Sequence, residues 1–156
     1  IQSWIKALRS GDYKQTIGLL IHKCSGEENS FEHCCLGVAC ELEGLEREED
    51  GSQWMYEYIN PITKELMHEN ALLPGSLSHL YPVVIVFSDF YQLSVMQLND
   101  RYGCTFSQIA DVIESIFLGD GTKALEILRT LLENQTSFLS ELEPGIEKAK
   151  KLFFDY

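Results

Sequence analysis

Basic side chains are scarce in this chain: twelve lysines and arginines stand against twenty-four aspartates and glutamates, a formal net charge of −12. A surface with that balance repels phosphate backbones and anionic membranes, so ordinary DNA or RNA binding is not expected, and neither is attachment to a membrane face. Long apolar runs are also missing. The longest, Val83 to Phe87, is strand-sized and falls far short of the roughly 18 residues that a membrane span requires. The five cysteines include no C-x-x-C pair, which argues against the common zinc and dithiol arrangements. Their odd number and apolar surroundings favour a reducing compartment over a disulfide framework. No internal repeat or low-complexity linker divides the chain. What remains is a single domain over 1–156, 45% hydrophobic and long enough to bury a core, expected in the cytoplasm. The chain opens on Ile1 in place of methionine, consistent with trimming or with a removed leader.

The densest apolar stretch of the first half is His33-Cys34-Cys35-Leu36-Gly37-Val38-Ala39-Cys40-Glu41-Leu42, with no charge from Cys34 to Cys40. Asn29 and Ser30 ahead of it, with Glu32 three residues after Asn29, predict a helix starting near residue 31. Cys35, Val38, Ala39 and Leu42 recur at helical spacing while Cys34, Leu36 and Cys40 occupy other faces, so this helix is expected to be buried nearly all round. Gly37 inside it implies a close neighbouring backbone, and Gly44 supplies a stop. Buried cysteine packs as a small hydrophobe. Two rival readings are a metal site drawn from His22, Cys24, His33, Cys34 or Cys40, and a nucleophilic Cys34 activated in the first helical turn beside His33. Adjacent residues on a helix point to different sides, which weakens both. No metal and no cofactor is expected.

Six of the acids lie between Glu41 and Asp50, read as a solvated loop; a decoy surface mimicking nucleic acid is the rarer alternative. Earlier in the chain, Ser3 is expected to cap a short helix, Trp4 to Ser10, closed by Gly11. Asp12 to Gln15 reads as a turn, and Thr16 to Ile21 as a strand or a packed loop. Trp54, Tyr56 and Tyr58 alternate with Met55, Glu57 and Ile59, the period of a half-exposed strand. Leu73-Pro74-Gly75 begins a helix or turn. With residues 54 to 59, Val83 to Phe87 is expected to form a small antiparallel sheet.

Thr105 and Gln108 form a capping box with Cys104 and Ile109 as its staple pair, opening a helix that buries Ile109, Val112, Ile113 and Ile116 and stops at Gly119. An EF-hand reading of Leu98-Asn99-Asp100 fails, because the first and twelfth loop positions fall on Leu98 and Ile109. Asn99 and Asp100 are expected either to hydrogen-bond the turn or to face a cleft. Thr122 caps a helix carrying Leu125, Leu128, Leu131 and Leu132, broken over Asn134 to Ser137. Pro144 then starts a last helix whose end, Leu152-Phe153-Phe154, is a candidate docking face for a partner subunit, so a homo-oligomer is an open alternative. The fold expected is α+β: a mainly helical single domain with a small antiparallel sheet and a C-terminal helical hairpin.

Three separated stretches carry a resemblance: Trp4-x-x-Ala7-Leu8-Arg9-Ser10-Gly11-x-Tyr13-x-Gln15, then Cys34-Cys35-Leu36-Gly37-Val38-x-Cys40-Glu41-Leu42, then Leu98-Asn99-Asp100 leading to Phe106-x-x-Ile109-Ala110-Asp111-x-Ile113-Glu114. In order and spacing this resembles a family of small proteins encoded by tailed bacteriophages and prophages. The resemblance covers roughly residues 4 to 118, a family-like core, and the chain departs from it in a longer middle around residues 60 to 95 and in the helices of 119–156. It implies a phage or prophage origin and action in the host cytoplasm, and it carries over no catalytic residue.

Three functions compete on this reading. The leading one is a non-enzymatic accessory protein that binds a host protein or a defence component. The second is a module that binds or sequesters a small molecule such as a nucleotide signal, with Trp54, Tyr56 and Tyr58 for stacking and Arg9, Gln15 and Asn99 for hydrogen bonds. The third is a thiol enzyme using Cys34 with His33 or His22 as base. The polar or aromatic residues singled out for ligand or partner contact are Arg9, Tyr13, Gln15, Trp54, Tyr56, Asn99 and Asp100.

Overall fold

The computed structural model describes residues 1–74, 77, 80–82, 84–87, 92–133 and 142–154. In chain order its elements are α1 (Gln2–Ser10), β1 (Lys14–Gln15), β2 (Ile21–Lys23), β3 (Phe31–His33), α2 (Cys35–Leu42), β4 (Glu46–Asp50), β5 (Gln53–Ile59), β6 (Leu66–Glu69), β7 (Val84–Phe87), β8 (Gln92–Ser94), α3 (Val95–Asp100), α4 (Phe106–Phe117), α5 (Thr122–Leu131) and α6 (Leu142–Phe154). The fold is α+β. One sheet has the order β1-β3-β2, with β1 parallel and β2 antiparallel to the central strand; a second is the antiparallel meander β4-β5-β6; β7 and β8 form a two-stranded pair.

The core is built on α2 and α4. Every residue from Cys35 to Cys40 is buried, as the near-continuous apolar composition of α2 predicts. Trp4 of α1 lies fully buried and donates its indole N–H to the Cys35 carbonyl at 2.8 Å, while its ring meets Tyr81 edge to face at 5.2 Å. Gly37 has a definite steric reason. A Cβ built there would stand 1.8 Å from the Leu20 carbonyl oxygen, and the same oxygen accepts the Cys34 N–H at 3.2 Å. The backbone leading into β2 therefore rests directly on α2, and only glycine leaves it room. The α4 face Ile109, Val112, Ile113 and Ile116 is wholly buried, and the Thr105–Gln108 capping box is formed in both directions.

Several local expectations give way to tertiary pairing. The helix expected from residue 31 begins at Cys35, because residues 31–33 are the central strand β3, held on both sides by β1 and β2. Asn29 takes a left-handed turn (φ 67°) instead of a helix cap. Ser3 lies inside α1, whose N-cap is Ile1; Gly11 closes the helix in the left-handed conformation as expected. The acidic loop is a strand: Glu46 to Asp50 pairs along its whole length with β5, all five side chains exposed. Residues 54 to 59 form the strand foreseen, but pair with β4 and β6, whereas Val84–Phe87 pairs with β8. Gln15 belongs to a short strand rather than a turn, and of residues 16 to 21 only Ile21 is in one.

Of the C-terminal helices, α5 packs on α4 and α6 lies chiefly against β7. Thr122 is the first residue of α5 rather than its cap; Gly121 holds that place (φ 86°), and Asp120 accepts the Thr122 N–H at 2.9 Å. Ser115 Oγ of α4 accepts the Ala124 N–H at 3.0 Å, and Lys123 reaches Asp111 at 2.7 Å. Pro144 sits within α6, which opens at Leu142. Ile146 and Ala149 are buried as their spacing predicts. The expectations placed on Gly75, Val83, the break at 134–137 and the side chains of residues 152–154 lie outside the described residues.

Candidate functional site

Three of the singled-out residues meet in one polar clasp. Gln15 Nε2 donates to Asn99 Oδ1 at 2.9 Å and to the Cys104 carbonyl at 2.8 Å, and Gln15 Oε1 accepts the Phe106 N–H at 3.1 Å. Asn99 Nδ2 donates to the Thr16 carbonyl at 2.8 Å and to Asp100 Oδ1 at 2.6 Å, and the same Asp100 oxygen accepts the Gly18 N–H at 3.1 Å. Asn99 is fully buried in the last turn of α3. A buried amide with its donors and acceptor satisfied this way specifies packing. The turn or cleft role expected of Asn99 is replaced by an internal fastening between the segment after β1 and the start of α4.

Glu41, at the end of α2, is the hub of a second constellation. Its carboxylate accepts from Arg47 Nε at 2.7 Å and Nη2 at 2.5 Å, from the Tyr56 hydroxyl at 2.5 Å, and from His33 Nε2 at 3.3 Å. Burial opposes its ionisation, but the bonds from His33, Arg47 and Tyr56 outweigh burial and pull its pKa down to about 2. Burial and the neighbouring carboxylate together push the Tyr56 phenol far up, so it serves as a fixed donor. An ionised Glu41 only accepts, so His33 Nε2 is the donor in this contact. His33 Nδ1 is buried with no hydrogen-bond partner among the described residues. Tyr13 stacks edge-on to His33 at 5.5 Å, and the Arg47 guanidinium lies 4.5 Å over Phe31.

The remaining candidates are dispersed. Arg9 bridges α1 to α4 through Asp111 at 2.5 Å and Glu114 at 2.7 Å. Trp54 is half-buried, edge-on to Phe31 at 4.8 Å, with the Lys23 ammonium 5.3 Å over its ring, beside an open recess of about 340 Å³ that also reaches His22, Cys24 and Gln53. Tyr56 is fully buried, so the aromatic row is not an open stacking platform. The thiols Cys34, Cys35, Cys40 and Cys104 are buried, and His33 is engaged by Glu41 rather than by Cys34.

The outer face of β4-β5-β6 was not foreseen. Tyr56 points inward, so the alternate positions face outward: Glu46, Glu48 and Asp50 on β4, Gln53, Met55, Glu57 and Ile59 on β5, Leu66 and His68 on β6. Among the described residues this face carries four carboxylates and no lysine or arginine. It ends in an exposed apolar tip, Ile59 opposite Leu66 with Ile62 in the turn between them, 88% exposed. His68 Nε2 stands 2.5 Å from Glu48 Oε2 and 3.3 Å from Glu57 Oε1, and these donor atoms all lie within 4.8 Å of one another. The missed signal was Gly51-Ser52, a glycine-first hairpin connection (φ 62° at Gly51) joining the acidic run to the aromatic strand.

No described helix is long and apolar enough to cross a membrane. No curated protein and no solved structure matches the chain. A family model described as a domain of unknown function matches residues 1–117, from the first residue through the end of α4, and the chain belongs to that family, DUF8296.

Proposed function

We propose that this protein is a phage- or prophage-encoded accessory protein that acts in the host cytoplasm by binding a host protein or a defence component, without chemistry of its own. The contact surface in this reading is the outer face of β4-β5-β6. The observation that carries it is the juxtaposition of Glu46, Glu48, Asp50 and Glu57, with no lysine or arginine among the outward-facing strand positions described, and the exposed tip Ile59, Ile62 and Leu66. A face of that kind suits a partner presenting lysine and arginine around an apolar recess: the charge steers the encounter and the tip supplies the desolvated anchor. Contiguous exposed apolar side chains beside a single-sign charged rim are the usual mark of an interaction surface.

The small-molecule reading keeps one supporting observation, the recess beside Trp54 with Lys23 over the ring. Native mass spectrometry of the protein after incubation with host lysate separates the two. The expected result is an added protein mass that disappears in the double variant Glu46→Lys, Asp50→Lys and in Ile62→Asp, with far-UV circular dichroism unchanged. Retention of the partner by all variants overturns the proposal, and a retained mass of a few hundred daltons lost in Trp54→Ala transfers the function to the recess.

A further inference from the structure

We infer that Glu48, Glu57 and His68 form a site for a first-row divalent cation of the zinc type. The three residues come from three adjacent strands. Glu57 and His68 are direct cross-strand partners, and Glu48 pairs with Met55, two residues before Glu57 on the same face. The backbone register therefore places the three residues side by side on one face, and their side chains converge there. An imidazole with two carboxylates is a donor set that suits zinc and its neighbours, and it leaves positions open for water.

One of the two distances is already that of neighbouring ligands on a cation. Tetrahedral bonds of about 2.1 Å place neighbouring donor atoms about 3.4 Å apart. His68 Nε2 and Glu57 Oε1 already stand at 3.3 Å, while the 2.5 Å approach of Glu48 Oε2 must open by about 1 Å, a small adjustment for a side chain 46% exposed. One proton on Nε2 serves one carboxylate at a time, whereas a cation at the centre serves both. Charge points the same way. Glu46 lies directly opposite Glu57, a like-charged cross-strand pair that opposes the sheet, and no lysine or arginine among the outward-facing strand positions described relieves it. A bound dication joins the edge strands β4 and β6 to β5 through side chains as well as through the ladder.

The cysteines set the control. Cobalt(II) reports its ligands spectroscopically, and thiolate ligation gives charge-transfer bands that oxygen and nitrogen ligation lack. The full-length protein, stripped with chelator and kept reduced, is titrated with cobalt(II), then with zinc in competition, with no partner present, so the outcome is independent of the partner-binding proposal. Expected are one cobalt per chain without thiolate bands, a rise in melting temperature with zinc, and at least a tenfold loss of affinity in His68→Ala and in Glu57→Gln. Glu49→Gln, on the opposite face of β4, leaves affinity unchanged, and circular dichroism verifies that each variant is folded. Thiolate bands, undiminished affinity in His68→Ala, or no saturable binding each overturn the site.

Discussion

Glu41 concentrates more interactions than any other titratable residue described, and its chemistry makes a testable statement about acid. Its carboxyl is held at about 2, against an ordinary 4.5. A carboxyl depressed in the folded state stabilises the protein above its unfolded pKa, and that contribution disappears as pH falls from about 4.5 toward 2. The variant Glu41→Gln keeps the shape but not the charge. It is expected to lose about 1–3 kcal/mol at neutral pH, because Arg47, Tyr56 and His33 lose their ionised acceptor. Urea titrations at a series of pH values check this: the gap between wild type and variant closes as pH falls through that window, and a gap that stays constant there disproves the assignment. None of this was visible in the sequence, where Glu41 stood as one acid in a run of six, because what distinguishes it is an arginine on β4 and a tyrosine 15 residues away that the β4-β5 hairpin brings back.

Among the elements, α2 was the most legible and shows why legibility stops where it does. Its apolar composition and its internal glycine both announced a buried helix with a backbone neighbour, and the neighbour is the Leu20 carbonyl. Gly37→Ala is expected to cost about 3 kcal/mol or more, since the clash is with backbone that also holds the Cys34 N–H; the midpoint of chemical denaturation measures it, and an unchanged midpoint would falsify the close approach. The capping box of α4, the left-handed Gly11 and the β5 alternation were readable for the same reason: each is written within a few consecutive residues. The start of α2 and the fate of the acidic run were not, because β3 and β4 exist only through partners elsewhere in the chain. Of the seven residues expected at a contact site, Gln15, Asn99 and Asp100 meet, but in bonds that fasten the interior. The outer-face constellation escaped notice because its members are spread over three strands and converge only through register.

For the molecule as a whole, the boundary of the family match falls inside a continuous core. The matched region ends with α4 at residue 117, yet α5 and α6 bury Ala124, Leu128, Ile146 and Ala149; α5 is fastened to α4 through Ser115 and Asp111, and α6 to α5 through Arg129 and Glu143. A chain ended after Leu118 is therefore expected to melt earlier and to bind an apolar dye such as ANS. Each large apolar side chain removed from that layer withdraws roughly 1.5–3 kcal/mol of burial. Thermal unfolding with dye fluorescence checks it, and a shortened chain with wild-type melting and no dye binding shows instead that the last helices are an appendage.

The clasp between Gln15 and Asn99 joins residues 84 positions apart. Between its ends runs everything from β2 to α3. Within that span α2 is fixed in the core, but the β5-β6 turn around Ile62 is exposed, and lengthening a flexible exposed loop costs only about 0.6 kcal/mol for each doubling. Insertions at that turn are therefore cheap, and the tip of the outward-facing hairpin is free to vary while the clasp and the helical frame keep their register.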